Sequence, residues 1–363
     1  MSKIVSIVCQ TQSVPLKEPF TIALGTITQA DNIFVKITTD DGTVGLGEAA
    51  PETFVTGETL ASCKAALELL SQELIGENPL NIANIHTIMN RTMLGNGAAK
   101  TAIDLACYDI LGKTAGLPLY QLLGGHSDHV RTDMTVSIDT PEVMAAKAKK
   151  WVDQGFTAIK IKVGIDPLAD IERITAIRAA VGPDVKLRVD ANQGWIPKDA
   201  IRAIEKISPY DIEFIEQPVA AKNLDGLKFV REKVVDKIMS DESAFVPQDA
   251  FMLVKHDCVD YVNIKLMKCG GLYPALKIIA LCESAGIACM IGCMSGETNI
   301  SVAAAAHLAA AQPNVRFADL DATFSLEQLT YSGIIGTEPT PIIDLSRSQP
   351  GLGIQLPPSL QEA

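Results

Sequence analysis

The sequence lacks the features that mark several common classes of protein. It has no run of lysines and arginines, and its 43 acidic residues against 31 basic ones give a net charge of −12. Such a chain repels phosphate backbones, so nucleic acid is not expected as a partner. No apolar stretch reaches the roughly 18 residues that a membrane-spanning helix needs, so no membrane association is expected either.

The N-terminus and the cysteines indicate the cellular compartment of the protein. Residues 1–9 carry an apolar run that is too short for a signal peptide. The eight cysteines contain no Cys-x-x-Cys pair and lie in apolar segments, which favours buried free thiols over disulfides or a zinc site. Both observations predict a cytoplasmic protein in a reducing compartment.

The first third of the chain predicts an α+β unit. Strand patterns cover residues 3–12, 32–39 and 43–50, and Asp41-Gly42 between the last two is a strong hairpin signal. Helical patterns follow over residues 60–76, 80–93 and 97–115. We therefore expect residues 1–125 to form an N-terminal domain of their own.

From residue 131 onward, short β-branched segments alternate with helical ones. The strand candidates are residues 132–138, 158–163, 186–190, 212–216, 237–241, 261–265, 288–293 and 316–320. Their ends lie about 23 to 30 residues apart, the length of one βα unit. The pattern predicts the α/β class, with a modified (β/α)8 barrel of the TIM type over residues 126–321 and the α+β unit as its cap. Residues 322–363, rich in Pro and Gly, are expected to pack back on the capping domain.

Polar residues stand where several of these strands end, which is where such barrels place their catalytic groups. The second strand ends Lys160-Ile161-Lys162, and the two-residue period puts both lysines on one face. The next three strands lead into Asp190, Glu216 and Asp241. Three converging carboxylates repel one another unless a cation neutralises them. With no histidine or cysteine beside them, their oxygens suit Mg²⁺, and Mn²⁺ is possible.

The later strands add further charged groups. The sixth ends in Lys265, and Lys268 beyond it fits either a surface loop or a group that supports the site. The eighth ends Asp319-Leu320-Asp321, two carboxylates of one parity that could serve the site or the N-terminus of a following helix.

Histidine is not expected to act as the catalytic base. The five histidines lie outside the predicted strand ends. His307 and Glu297 lie in helix-like sequence after the seventh strand, and we interpret both as structural.

The order Lys-x-Lys, Asp, Glu, Asp, Lys at successive strand ends resembles the enolase superfamily and, within it, the muconate-lactonizing subgroup. The resemblance spans nearly the whole chain and includes residues 55–59, 100–112, 116–118 and 122–125. Finer matches at residues 263–268, 292–294 and 319–321 resemble the dipeptide epimerases.

The resemblance implies a magnesium-dependent isomerase, a racemase or epimerase of amino acid derivatives. Asp190, Glu216 and Asp241 would hold Mg²⁺, which would bind the substrate carboxylate. Lys162 and Lys265 would flank the α-carbon from opposite faces, one removing the proton and the other returning it.

The resemblance also implies how a dipeptide would be held. Lys160 would stabilise the enediolate that forms when the α-proton leaves. Asp319 and Asp321 would bind the free α-ammonium, and Thr135 and Cys293 would line the cleft. A homo-oligomer is expected.

One position departs from the resemblance and bears on specificity. Relatives specific for Ala-Glu carry an arginine in the first capping loop, and the matching position here is Gly25. The apolar residues around it favour L-Ala-L-Xaa dipeptides with a hydrophobic Xaa, whose α-carbon would be inverted. Glu52 and Glu58 leave a cationic dipeptide open, and Ala-Glu stays a further alternative.

Other reactions fit parts of the pattern. N-succinylamino acid racemase, o-succinylbenzoate synthase and muconate cycloisomerase use the same lysines and metal on this scaffold, although Asp319 and Asp321 would repel their anionic substrates. A Schiff-base aldolase needs only one inward lysine and leaves the three carboxylates without a role. A non-catalytic binding protein is the remaining alternative.

Overall fold

Three sheets organise the chain in the computed structural model, which describes residues 2–327, 329 and 331–361. The strands are β1 (Ile4–Ile22), β2 (Gly25–Thr39), β3 (Val44–Ala49), β4 (His129–Arg131), β5 (Met134–Val136), β6 (Ala158–Lys162), β7 (Lys186–Asp190), β8 (Ile212–Glu216), β9 (Ile238–Ser240), β10 (Tyr261–Lys265), β11 (Ala288–Gly292), β12 (Val315–Asp319) and β13 (Ile342–Asp344).

The helices follow the order that the sequence predicts. They are α1 (Leu60–Leu74), α2 (Ile82–Thr92), α3 (Gly97–Ala115), α4 (Leu119–Leu122), α5 (Pro141–Asp153), α6 (Pro167–Val181), α7 (Pro197–Ile207), α8 (Leu224–Lys233), α9 (Pro247–Lys255), α10 (Leu266–Cys269), α11 (Leu272–Ser284), α12 (Asn299–Ala311) and α13 (Ala322–Ser325). None of the helices described is both long enough and apolar enough to span a bilayer.

The N-terminal part is an antiparallel sheet, in the order β1-β2-β3, covered by helices α1 to α3. Helix α3 lies directly on β3, because a Cβ atom at Gly47 would stand only 1.8 Å from the carbonyl oxygen of Ala102. The strand extends further than predicted, since β1 continues to Ile22 and turns into β2 at Gly25. The segment we expected as a capping loop is therefore a β-hairpin, which the non-donating Pro15 and Pro19 hide in the sequence.

The eight strands β5 to β12 form one parallel sheet in chain order. Several barrel helices begin with proline at their first turn, a position that needs no amide donor: α5, α6, α7 and α9. The two edge strands approach each other, since Asp133 N donates to Ala318 O (3.2 Å) and Leu320 N donates to Thr132 Oγ1 (2.8 Å). The sheet is thus a nearly closed barrel, and the predicted (β/α)8 fold with a capping domain is confirmed.

A layer of aromatic and sulfur-containing side chains fills the barrel beneath its polar end. Phe214, Met239 and Met290 are buried there together. Arg188 lies over the ring of Phe214 at 5.4 Å and pairs with Asp133 at 2.7 Å. This filled layer makes the barrel a packed core and gives the polar residues above it a rigid floor.

The C-terminal segment contacts both halves of the chain. Strand β13 pairs with β4, and Leu352 N donates to Asp109 Oδ1 of α3 at 2.9 Å. Leu119 N donates to Gly351 O at 3.1 Å. These contacts accord with a segment that returns to the cap, while the division at residues 125 and 321 stays a prediction. All eight cysteines are free thiols.

Candidate active site

The sheet register aligns five charged side chains at the C-terminal ends of the barrel strands. Lys162 on β6 pairs with Asp190 on β7, which pairs in turn with Glu216 on β8. Across the barrel, Lys265 on β10 and Asp319 on β12 are aligned through the intervening strand β11. Because paired residues on neighbouring strands point to the same side of the sheet, these five side chains converge at one end of the barrel, where Lys162, Lys265 and Asp319 line a cavity.

Three buried carboxylates form a candidate metal centre. Asp190, Glu216 and Asp241 each offer an oxygen atom, and these oxygens lie within 4.8 Å of one another. Glu216 Oε2 and Asp241 Oδ2 accept no hydrogen bond of standard geometry, although an ammonium nitrogen lies 2.9 Å from each. Buried carboxylate oxygens with unused lone pairs, in a set without histidine or cysteine ligands, suit a hard divalent cation. The residues present therefore fit Mg²⁺.

The carboxylates of this centre differ in how readily they ionise. Burial raises the pKa of Glu216 to about 8, and the charge of Asp190 adds to the rise. Burial also favours the neutral form of Asp190, but the lysines beside it outweigh burial and lower its pKa. The pKa of Asp241 is lowered in the same way, because nearby lysines outweigh its burial. Three like charges at this spacing need compensating cations.

Lys160 lies at the centre of the carboxylates. Its Nζ atom is 2.7 Å from Asp319 Oδ2, 2.9 Å from Glu216 Oε2 and 3.1 Å from Asp190 Oδ2. Burial alone would lower the pKa of Lys160, but the surrounding carboxylates, Asp319 first, raise it well above its ordinary value. Lys160 is thus a fixed positive charge in a dry site.

Lys162 and Lys265 stand on opposite sides of the cavity, because β6 and β10 are four strands apart in an eight-stranded barrel. Lys162 Nζ is 2.6 Å from Asp190 Oδ2, and Lys265 Nζ is 2.9 Å from Asp241 Oδ2. Both side chains line the cavity. A small molecule held between them presents one face to each lysine.

Lys268, whose position the sequence left open, supports the metal centre. It is buried and pairs with Asp241 Oδ1 at 2.5 Å, and it also donates to Asn263 O at 3.2 Å. Two amide side chains support the same residues: Gln217 Oε1 accepts from the backbone Asp241 N at 2.9 Å, and Asn263 Nδ2 donates to the carboxylate oxygen Glu216 Oε1 at 2.7 Å. Lys268 therefore holds Asp241 in position and is a buried residue, not a residue of a surface loop.

Sequence reasoning missed the roles of Gln217 and Asn192. Both lie just beyond a strand end and have positive φ angles, 36° and 40°, which are strained for residues other than glycine. Asn192 lines the cavity, and its Nδ2 atom donates to Glu242 Oε1 at 3.1 Å. The signal was present in the sequence as an amide residue one or two positions after a carboxylate of the candidate metal centre.

Asp319 and Asp321 line the cavity together with Thr135 and form its acidic wall. Asp321 Oδ2 accepts a hydrogen bond from Thr135 N at 2.6 Å, and Asp319 Oδ1 accepts one from Thr135 Oγ1 at 3.3 Å. Burial and the charge of Asp319 raise the pKa of Asp321 to about 6. Neither side chain caps α13 in the described structure, so the helix-capping alternative finds no support. No lysine or arginine of the described residues lies within ion-pair distance of Asp321, which leaves it open to a cation.

The cavity between these walls combines charged and apolar residues. Cys293 lines it, and its Sγ atom donates to Asp319 O at 3.2 Å. The apolar part of the lining comes from the cap hairpin, the following loop and the barrel: Phe20, Ile22, Ile27, Val55, Met294 and Ala322. Glu52 also faces the cavity, whereas Gly25 and Glu58 lie outside its lining. The ring of Phe54 covers Gly25, and a Cβ atom there would stand 2.7 Å from that ring.

Comparison with models of protein families shows which family the chain belongs to. Residues 4–124 match the N-terminal domain of the mandelate racemase / muconate lactonizing enzyme family, and residues 143–360 match the enolase C-terminal domain-like family. The chain belongs to the mandelate racemase / muconate lactonizing enzyme family. It is therefore a member of the enolase superfamily, as its strand ends predict.

Individual relatives of this family cover almost the whole chain. The hydrophobic dipeptide epimerase of Enterococcus faecalis is 54% identical over 97% of this chain and 99% of its own length. The L-Ala-D/L-Glu epimerase of Bacillus subtilis is 43% identical over 97% of this chain and 96% of its own. A crystal structure of the Enterococcus faecalis dipeptide epimerase, complexed with Mg and L-Leu-L-Tyr, superposes with a TM-score of 0.96 over 98% of this chain and 100% of that one.

Proposed function

We propose that this protein is a dipeptide epimerase that inverts the α-carbon of the C-terminal residue of L-Ala-L-Xaa dipeptides with a hydrophobic Xaa. The observation that carries the proposal is the pair Lys162 and Lys265, which face one cavity from opposite strands beside a metal-binding carboxylate triad. The similarity to a hydrophobic dipeptide epimerase at 54% identity supports it.

Inversion needs one group on each face of the substrate carbon. One lysine, in its neutral form, removes the α-proton and becomes an ammonium, while the ammonium of the other returns a proton to the opposite face. Lys162 and Lys265 occupy these two positions, and Lys160 supplies a fixed positive charge beside the negative charge that develops on the substrate. The same pair serves both directions, since each lysine acts as base for one enantiomer.

The α-proton beside a carboxylate is too weakly acidic to leave unaided. When bound by Asp190, Glu216 and Asp241, Mg²⁺ supplies Lewis-acid stabilisation of the substrate carboxylate. Lys268 and Gln217 hold Asp241 in place for this role. Mn²⁺ offers the same oxygen preference and is expected to substitute.

The acidic wall provides for the free amino group of a dipeptide. Asp321, which has no cationic partner among the described residues, and Asp319 would hold the α-ammonium. Thr135 fixes both carboxylates, and Cys293 lines the space beside them. This wall disfavours N-succinyl and o-succinylbenzoate-type substrates, whose anionic groups it would repel.

The apolar lining supports a hydrophobic Xaa. Burying a carboxylate among Phe20, Ile22 and Ile27 without a cation would cost several kcal/mol, whereas an apolar side chain gains about 1.5 to 3 kcal/mol. Glu52 in the same lining would suit a second candidate, a dipeptide with a cationic Xaa, which the similarity to a hydrophobic dipeptide epimerase does not favour.

A dipeptide mixture in D₂O tests the proposal. The protein with Mg²⁺ is incubated with a library of L-Ala-L-Xaa dipeptides, and deuterium in the C-terminal residue is read by mass spectrometry. We expect incorporation into the Phe, Tyr and Leu members at least about tenfold faster than into the Glu member. Exchange in N-succinyl amino acids but in no dipeptide would overturn the proposal, and fastest exchange in the Lys or Arg members would establish the cationic candidate.

The cellular setting is part of the proposal. Eight free thiols accord with a reducing compartment such as the cytoplasm. A homo-oligomer stays a prediction, which light scattering during size-exclusion chromatography checks.

A further inference from the structure

A buried carboxylate of the cap, Glu48 on β3, reaches across to the barrel. Its Oε1 atom accepts a hydrogen bond from Thr298 N at 2.8 Å. Its Oε2 atom accepts from Thr298 Oγ1 at 2.8 Å, from Ser301 N at 3.0 Å and from Ser301 Oγ at 2.8 Å. Glu48 is completely buried, and among the described residues these bonds, with one further partner in the cap, compensate for its lost solvent.

These bonds make Glu48 the N-terminal cap of a helix in another part of the chain. Helix α12 begins at Asn299, and the residue before it, Thr298, makes no side-chain capping bond of its own. A capping side chain normally accepts from the amide three positions along, which here is Ser301 N, and Glu48 takes that bond. A carboxylate at this end also interacts favourably with the helix dipole.

Asn32 on β2 completes the connection. Its Nδ2 atom donates one hydrogen to Glu48 Oε1 at 2.8 Å and the other to Gly296 O at 2.7 Å. Both hydrogens of one buried amide are thus used, one within the cap and one on the barrel loop 293–298. The loop also lies close against β2, since a Cβ atom at Gly296 would stand 3.3 Å from Ala30 Cβ.

The connected loop forms part of the cavity wall. Cys293, Met294 and Ser295 at its start line the cavity. The cap strands that carry Asn32 and Glu48 lead into the other parts of the wall, because β2 begins at the hairpin that carries Ile27 and β3 leads into the segment that carries Glu52 and Val55. Asn32 and Glu48 therefore connect loop 293–298, the barrel part of the cavity wall, with the cap strands that lead into the rest of the wall.

We infer that Asn32 and Glu48 are positioning residues, which hold loop 293–298 against the cap and so set the shape of the substrate cavity. The inference rests on the proposed function for its substrate, but the loop's attachment does not. Neither residue lines the cavity, so their effect acts through the loop. Breaking the pair should weaken substrate binding. Proton transfer between each catalytic lysine and the bound substrate should not change.

The test compares three variants. Asn32→Ala removes both amide bonds and leaves Glu48 its bonds to the helix, and Glu48→Gln places two amide hydrogens where the helix needs an acceptor. The matched control is Tyr331→Phe, which removes the 2.7 Å hydroxyl contact to Thr298 Oγ1 at the edge of the same network and leaves the pair intact. Each variant is assayed with L-Ala-L-Phe and Mg²⁺.

For Asn32→Ala we expect KM to rise at least about fivefold with kcat within about twofold of the native value. Amide hydrogen exchange in residues 293–298, followed by mass spectrometry without substrate, should accelerate at least about tenfold. Glu48→Gln should show the same effects, and Tyr331→Phe neither. If Glu48→Gln does not fold, Asn32→Ala alone decides.

Three results would overturn the inference. One is native KM together with native loop exchange in Asn32→Ala, and another is an equal rise of KM in Tyr331→Phe. A fall in kcat with unchanged KM would also contradict it, because the loop would then act on the chemistry. If the native protein epimerizes no dipeptide, the proposed function fails, yet the exchange measurement still decides whether the pair holds the loop.

Discussion

At the scale of single residues, the candidate site assigns different tasks to side chains of the same type. Lys160 is surrounded by three carboxylates, whereas Lys162 and Lys265 each contact one carboxylate of the candidate metal centre and face the cavity. Asp319 contacts Lys160, and Asp321 has no such partner among the described residues. The number of oppositely charged neighbours, not residue type, therefore separates the tasks proposed for these lysines and carboxylates.

Each of the two facing lysines should serve one stereoisomer. Lys162→Ala and Lys265→Ala should each stop epimerization, because inversion needs both faces. The remaining lysine can still exchange the α-hydrogen of the isomer that faces it, so in D₂O the two variants should label opposite isomers of Ala-Phe. Nuclear magnetic resonance of each isomer measures this. Substantial epimerization in both variants would show that neither lysine is the base.

Glu52 should determine which charges the cavity accepts. It faces the cavity, and burial raises its pKa despite the nearby Lys265. In Glu52→Gln we expect kcat/KM for L-Ala-L-Glu to rise at least about tenfold, or about 1.4 kcal/mol, because repulsion between two carboxylates is removed. The value for L-Ala-L-Phe should change less than about threefold.

The control for this prediction is Glu58→Gln, a change of the same size at a carboxylate outside the cavity lining. Equal gains in both variants would mean that Glu52 has no particular role in selecting substrates.

At the scale of secondary-structure elements, the helices are tied to the rest of the molecule at particular polar positions. Helix α12 is buried along its whole length, so its polar side chains need partners inside the protein. His307 has partners on both ring nitrogens: its Nδ1 atom accepts from Tyr120 N at 3.2 Å, and its Nε2 atom lies 3.3 Å from Leu352 O, to which it donates. This arrangement needs the neutral imidazole with its hydrogen on Nε2.

The neutral state of His307 should make stability depend on pH. Burial lowers the pKa of His307 to about 4 in the folded protein, below the ordinary value near 6.5 that applies when unfolded. Between these values the unfolded chain binds more protons, so stability is present above pH 6.5 and is lost as the pH falls toward 4. From pH 8 to pH 5 this group should cost about 2 kcal/mol of the free energy of unfolding.

Urea unfolding at both pH values checks this. The loss should be about 2 kcal/mol smaller in His307→Gln, whose amide can accept and donate at similar positions. His129→Gln, at an exposed histidine, is the control and should keep the native dependence. An unchanged dependence in His307→Gln would contradict the assignment.

At the scale of the whole molecule, the cap and the barrel each supply part of one site. The barrel contributes the lysines and the carboxylates around them, and the cap contributes most of the apolar residues and Glu52. The barrel's carboxylates are packed together in the folded state alone, since Asp190 and Glu216 end strands β7 and β8 and Asp241 directly follows β9. A ligand of that state raises its stability by mass action.

Mg²⁺ should therefore stabilise the fold as well as support turnover. After chelation, Mg²⁺ at about 100 times its dissociation constant should add about 2.7 kcal/mol to the free energy of unfolding, measured by thermal denaturation at matched ionic strength. Glu216→Gln should lose most of this gain, because one ligand oxygen is replaced by an amide. An equal gain in the native protein and the variant would place the ion elsewhere, and full turnover in a metal-free sample would end the metal proposal.

The sequence by itself determined the barrel and the identity of its charged residues. Period-two alternation within short strands and the even spacing of strand ends follow from backbone geometry, so β6, β7, β8 and β10 match the predicted segments to within one residue. Charged residues are rare at the end of a buried strand unless they are paired or functional. The lysines and the carboxylate triad could therefore be predicted from the sequence.

Tertiary structure alone decided the remaining features, because each depends on contacts between residues distant in sequence. Phe54 covers Gly25 and removes it from the cavity lining. Lys268 turns inward to Asp241 although it follows the strand by three residues. Glu48 looks like any strand carboxylate until it meets the first turn of α12, some 250 residues later. The local sequence pattern predicts on which face of a helix or strand a side chain lies. The residues that it contacts depend on how the elements pack together.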